Sequence, residues 1–475
     1  MMMLRSALTH CLRLLALLCV CGTLNANAQT PPQAAFPTGT LIERVVCRAD
    51  ATQSYALYLP KNYAPDRAWP ILYGFDPGGR GAAPVKLYQA AAEKYGYVVV
   101  GSHNSRNGPG VKLSEIVQAL WDDTHERLAL AERRAYTTGL SGGARVASAV
   151  ANALRGQVTG AILHGAAFMQ GVNVTKDLPF GVYGLAGVED FNYFELKQLD
   201  RALAEAGVPH RLTIWDGGHA WAPEAACVAA VGWLEVQAMQ RGLRNKDEAL
   251  LNDLFDAALA QARAAETARQ MGAAWTLYES LVNDFRGLRD VSEYERQAAA
   301  LKATPACKED LKREKNDEQA YNLRTREFFE LRERMRRPDE HDGALGEAKR
   351  AIAALHKRSA EPNASSERLL ARRLLSLYNI TLREEGNALR AQKKYRELLD
   401  NLLLANELRP GQPQTLYQLA VGYALNGDKK QTLETLQRAV AQGWRDAAEL
   451  ARQPAFEFVR REPAYQKLLE TLTAK

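Results

Sequence analysis

Residues 135–150 read AYTTGLSGGARVASAV. Ala135–Thr138 has the composition of a strand, and Ala144–Leu154 spaces its apolar residues as a helix does. Between them stands Gly139-Leu140-Ser141-Gly142-Gly143. A nucleophile on a sharp strand-to-helix turn takes a strained backbone, and bulky neighbours would collide with the strand and the helix. Glycine on either side removes that collision. Ser141 is therefore the candidate nucleophile. The competing reading, a serine in an ordinary glycine-rich bend, does not account for the flanking strand and helix.

The same alternation extends outward. Thr40–Val46 and Tyr55–Leu59 read as a hairpin, followed by strands at Trp69–Tyr73, Tyr97–Gly101, Val158–Leu163, Phe180–Leu185 and Arg211–Trp215. Helical spacing fills the gaps at Val85–Tyr95, Leu113–Arg127, Phe194–Ala206 and Pro223–Met239. Strands separated by helices imply crossover connections and a mostly parallel sheet covered on both faces. Reactive residues then belong in loops beyond the C-terminal strand ends.

A serine hydroxyl needs a base, and the base needs an orienting group. His219 follows the last strand in DGGHAW, where Gly217 and Gly218 let the loop swing over the sheet. His210 begins that strand and so sits at the wrong end, and His125 falls within a helix. His103 and His164 follow strands and read as lining or structural residues. The acid is expected after the preceding strand, in GVEDFNY. Asp190 lies further into that loop than Glu189, which is the alternative. The order Ser141, Asp190, His219 is the nucleophile, acid, base order of an α/β-hydrolase.

GLSGGAR, GVEDFNY and DGGHAW together resemble the α/β-hydrolase family, in particular its secreted esterases related to polyhydroxybutyrate depolymerases and feruloyl or acetylxylan esterases. The resemblance covers residues 41–242 and implies a Ser-His-Asp triad acting on a small-molecule or polymer ester with no cofactor. One stretch departs from the family. The loop after the third strand often reads His-Gly there, and here it is Gly74-Phe75-Asp76-Pro77-Gly78-Gly79. Pro77 has no N–H to give. The oxyanion donors are expected to be the backbone N–H groups of Gly142 and of Phe75 or Asp76. An Asp76 carboxylate facing the site would repel the oxyanion, so it is expected to turn back into its own loop. Asn104 and Arg106 in GSHNSRNGPG, and Trp221 beside His219, are candidate substrate-lining residues. Arg145 reads as a structural ion-pair partner.

From about residue 243 to 475 glycine thins out and Ala, Leu, Glu, Arg and Lys recur at helical spacing. Residues 379–412 and 413–446 repeat with the 34-residue spacing of a tetratricopeptide-like array. Gly427-Asp428 is placed in the turn between paired helices. Such arrays present concave surfaces to protein partners. The charged stretch 305–345 reads as a solvated or linking helix rather than a docking site.

Residues 1–28 read as an export signal. Arg5 and Arg13 are basic, Leu14–Cys21 is apolar but too short to span a bilayer, and Ala26-Asn27-Ala28 offers small residues for cleavage. Residues 29–40 form a linker, and the expected location is periplasmic or secreted. Cys47, Cys227 and Cys307 follow the signal, and Cys47 with Cys227 is the pairing to test against three free thiols. No metal-ligand spacing occurs. A net charge of +6 spread over 61 basic and 55 acidic residues gives no case for a nucleic-acid partner. The reading is an exported serine esterase. The alternatives are a serine peptidase and an interaction protein on a worn hydrolase scaffold.

Overall fold

A computed structural model describes residues 36–363 and 365–473. The expected signal, 1–28, and most of the linker lie outside these residues. The strands are β1 (Ile42–Val46), β2 (Ser54–Tyr58), β3 (Trp69–Phe75), β4 (Val98–Ser102), β5 (Leu130–Leu140), β6 (Val158–His164), β7 (Gly181–Gly187) and β8 (His210–Trp215). They form one eight-stranded sheet in the order β1-β2-β4-β3-β5-β6-β7-β8. β2 pairs antiparallel with β1 and β4, and every pairing from β4 through β3 to β8 is parallel. This is the mostly parallel sheet that the alternation of strands and helices implies. β2, β3, β4, β6 and β7 are buried along their whole length. Their apolar runs are continuous because both faces are covered.

The crossover helices are α1 (Ala82–Leu87), α2 (Gln89–Tyr95), α3 (Leu113–Arg127), α4 (Gly142–Ala153), α5 (Tyr193–Ala206) and α6 (Glu224–Gln240). The single helix expected over Val85–Tyr95 is two, divided at Tyr88. That tyrosine is fully buried and hydrogen-bonds Thr138 and His164 beneath the sheet's C-terminal edge. Cys47, Cys227 and Cys307 are buried free thiols, so no Cys47–Cys227 bridge exists. Burial pushes the Cys47 and Cys227 thiols up to about 11 and about 12.

The described residues after α6 are helical: α7 (Glu248–Thr267), α8 (Met271–Phe285), α9 (Ser292–Ala303), α10 (Pro305–Arg334), α11 (His341–Ser359), α12 (Ser366–Ala391), α13 (Tyr395–Leu408), α14 (Pro413–Leu425), α15 (Lys429–Ala441), α16 (Ala447–Arg452), a 3₁₀ turn (Pro454–Val459) and α17 (Pro463–Thr473). Gly427, at φ 76°, and Asp428, which caps α15 by accepting from Gln431 N–H, form the α14–α15 turn.

This helical region packs on the sheet region through shared cores. Val236 and Met239 of α6 join Leu251, Phe255 and Leu281 in one cluster. Phe194 of α5 joins Tyr321, Phe328, Leu374 and Tyr378 in another. At the edge strand β8, Arg211 pairs with Asp284 of α8 at 2.8 Å, and Trp233 Nε1 donates to the same carboxylate at 2.6 Å. The charged stretch 305–345 does more than solvate itself. Within it, α10 sends Glu314 to Lys197 at 3.1 Å and Glu318 to Arg201 at 2.7 Å, so part of its charge docks it on α5.

Candidate active site

Ser141 sits between β5 and α4 at φ 55°, ψ −119°, outside the ordinary basins for a residue with a side chain. Two close approaches hold it there. A Cβ on Gly139 would lie 2.1 Å from the Gly143 carbonyl oxygen, and one on Gly143 would lie 2.0 Å from the Phe75 oxygen. Neither position accommodates any other residue without moving backbone. Ser141 N–H donates to His164 O at 2.8 Å, and Ser141 O accepts from Ala144 and Arg145 N–H. The elbow is thus tied to both β6 and α4.

His219 and Asp190 come from the loops after β8 and β7. His219 Nδ1 donates to Asp190 Oδ1 at 2.9 Å, and that oxygen also accepts from Asn192 N–H at 2.8 Å. Asp190 is buried, and its Oδ2 has no hydrogen-bond partner among the described residues. The pair stands over Gly165, where a Cβ would fall 2.7 Å from Asp190 Oδ2 and 3.0 Å from His219 Nδ1. Gly165 directly follows His164, whose carbonyl receives the Ser141 N–H, so the pair and the elbow share the end of β6. Phe191 covers the His219 ring at 4.1 Å. Glu189 points elsewhere and pairs with Arg372 of α12.

On the other flank, Phe75 remains in register with Ser102 and Gly139, and Asp76 is the first residue beyond the ladder. The Asp76 carboxylate is buried and turned into its own loop. It accepts from Gly78 N–H at 2.8 Å, Arg80 Nε at 2.9 Å and Trp221 Nε1 at 3.1 Å. Burial opposes its ionisation, but these donors and the Arg80 charge outweigh burial and hold its pKa below the usual value.

The remaining candidates separate. Trp221 links the β8 loop to Asp76 and packs edge-on to His164 at 4.6 Å, so its polar edge serves the scaffold. Asn104 binds Ser54 N–H and Thr52 O, beside the β1–β2 turn. Arg106 is exposed and bridges to Gly78 through its backbone. The neighbour that reaches the elbow is Asn107, whose Oδ1 lies 1.9 Å from where a Gly142 Cβ would be. His103 binds Glu43 O and Gly81 N–H. His164 accepts from Ala222 N–H at Nδ1, so Nε2 carries the proton toward Tyr88 Oη. Burial drives its pKa down to about 3, which keeps it neutral. His125 donates to Trp121 O in its own helix, and Arg145 pairs with Glu195 at 2.8 Å.

No family profile matches the sequence, and no curated protein matches it. Solved structures do. S-formylglutathione hydrolase of Staphylococcus aureus aligns at 12% identity over 42% of this chain and 98% of that one, with a TM-score of 0.34. The feruloyl esterase module of Clostridium thermocellum aligns at 14% over 42% and 87%, with a TM-score of 0.33. A hyperthermophilic esterase from Pyrobaculum calidifontis gives 14%, 42%, 87% and 0.35. What the site can do chemically therefore rests on the residues themselves.

Sequence reasoning missed Asn192, whose Nδ2 donates to Gly165 O at 2.7 Å, and the ring contact of Phe191. Both lie inside the motif GVEDFNY, where an asparagine two residues after an aspartate signals a local turn.

Proposed function

We propose that the chain is an exported serine hydrolase acting on carboxylic esters through Ser141, His219 and Asp190. The observation that carries the reading is the His219–Asp190 hydrogen bond, seated on the same strand end that anchors the strained Ser141 elbow. In this mechanism His219 Nε2 takes the hydroxyl proton as Ser141 Oγ attacks the acyl carbon. Gly142 and Asp76 N–H donate to the developing oxyanion, a contribution of about 3 kcal/mol per donor. Asp190 steadies the imidazolium, which then protonates the leaving alcohol. Water repeats the cycle on the acyl-enzyme. Residues 41–242 supply this chemistry, and 243–475 form a tetratricopeptide-like region. Export rests on the basic and apolar pattern of residues 1–28.

A fluorophosphonate probe tests the reading. Label recovered on the Ser141 peptide, lost on heat denaturation, is the expected result. Acetyl, feruloyl and short hydroxyalkanoate esters, run beside peptide amides, then separate esterase from peptidase. Folded protein that takes no label and turns over no ester overturns it.

A further inference from the structure

The loop Val188–Asn192 carries two residues that contact the His219 ring, Asp190 and Phe191. Val188, at the start of this loop, lines a cavity of about 780 Å³ together with Tyr193, Phe194, Leu212 and Arg373 among others.

From the sheet region, Val188 and Glu189 N–H donate to Trp215 O and Gly217 O, each at 2.8 Å, and Asn192 Nδ2 donates to Gly165 O. Further contacts come from the helical region. Arg373 Nε of α12 donates to Val188 O at 2.8 Å. Arg372, its neighbour, pairs with the Glu189 carboxylate. Tyr321 Oη of α10 donates to Phe191 O at 2.7 Å. The Arg373 guanidinium lies 3.8 Å over the Tyr193 ring and 4.9 Å from that of Phe194. Residues 188, 189, 191 and 193 are therefore gripped from outside through backbone, carboxylate or ring contacts, while the Asp190 carboxylate and the Phe191 ring face His219. Arg373 is 5% exposed, and burial pulls its pKa down. A cation kept at such a position needs a compensating role, and the carbonyl and the aromatic faces are what it holds.

We propose that Tyr321, Arg372 and Arg373 are positioning residues that fix the Val188–Asn192 loop and so seat the Asp190 carboxylate under His219. The helical region is then part of the active-site scaffold, not a tethered module. The inference rests on the triad reading for its catalytic consequence, but the seating itself is measurable without turnover.

The test uses the full chain labelled with ¹⁵N-histidine. The readout is the downfield His219 Nδ1 proton, assigned by its loss in His219→Gln. Tyr321→Phe and Arg372→Ala are expected to speed its exchange with water at least tenfold, and Arg372→Lys to restore it. Fluorophosphonate labelling and kcat should fall together by about tenfold in the first two variants with KM unchanged. Melting temperatures identify any variant that simply unfolds. A proton indifferent to both variants, or undetectable in the wild type, overturns the inference whether or not esters are hydrolysed. A proton that responds in protein that never labels at Ser141 upholds the seating and counts against the hydrolase reading instead.

Discussion

The Trp221 indole donates to the buried Asp76 carboxylate at 3.1 Å, and this bond ties the loop after β3 to the loop after β8. One loop offers the proposed oxyanion donor and the other carries His219. Trp221→Phe keeps an aromatic ring but removes the donor. It should cost about 1–3 kcal/mol of stability, the usual range for depriving a buried carboxylate of one bond. It should also lower kcat more than it raises KM, as ester kinetics and urea unfolding on the same preparation would show.

Asp76 also predicts a pH dependence. Its folded pKa is depressed, so its stabilisation is complete above the unfolded value of 3.8 and is lost as pH falls through the lower folded value. The stability deficit of Asp76→Asn against the wild type should therefore be largest near neutrality and shrink in acid. A deficit that grows on acidification, in urea melts between pH 7 and pH 3, contradicts the assignment.

Ser141 stores backbone strain at φ 55°, ψ −119°. Such conformations cost of order 1–3 kcal/mol in a residue with a Cβ. Ser141→Gly should melt higher than Ser141→Ala by the equivalent of about 1 kcal/mol, although both lose the fluorophosphonate label. Equal melting temperatures would mean the elbow is relaxed.

Asp190→Asn should lower kcat by about 10⁴-fold while binding persists, because the amide favours the wrong imidazole tautomer. Steady-state kinetics with a soluble ester reads this directly. A fall of less than tenfold would assign the orienting role elsewhere.

Away from the site, Glu235 of α6 is fully buried and bonded to Arg134, Arg244 and Tyr97. Removing its carboxylate strands the buried Arg134 and leaves Arg244 with Asp247 alone, near the junction of the two regions. Glu235→Ala should destabilise the protein by about 3–5 kcal/mol in denaturant melts. A loss under 1 kcal/mol would show that water reaches the cluster.

Much of this molecule is written locally. The strand and helix spacings placed the eight strands of the sheet, because burial on two faces leaves continuous apolar runs and burial on one helical face leaves a period near 3.6. The elbow was legible for a related reason: Gly139 and Gly143 sit where backbone approaches to about van der Waals contact or closer, and no other side chain fits. Position in the loop favoured Asp190 over Glu189, but what each reaches took the fold. Both are carboxylates at the same loop, and only its path decides which reaches His219 and which meets Arg372. The roles of Tyr321, Arg372 and Arg373 had no signal at all in the sequence. They meet the loop from 130, 183 and 185 residues further along the chain. Periodicity records that a residue is covered, and steric exclusion records that it is small; neither records which distant element does the covering. That is settled only when the helices pack, because a guanidinium or a phenol can serve any carbonyl or carboxylate that tertiary structure brings within reach.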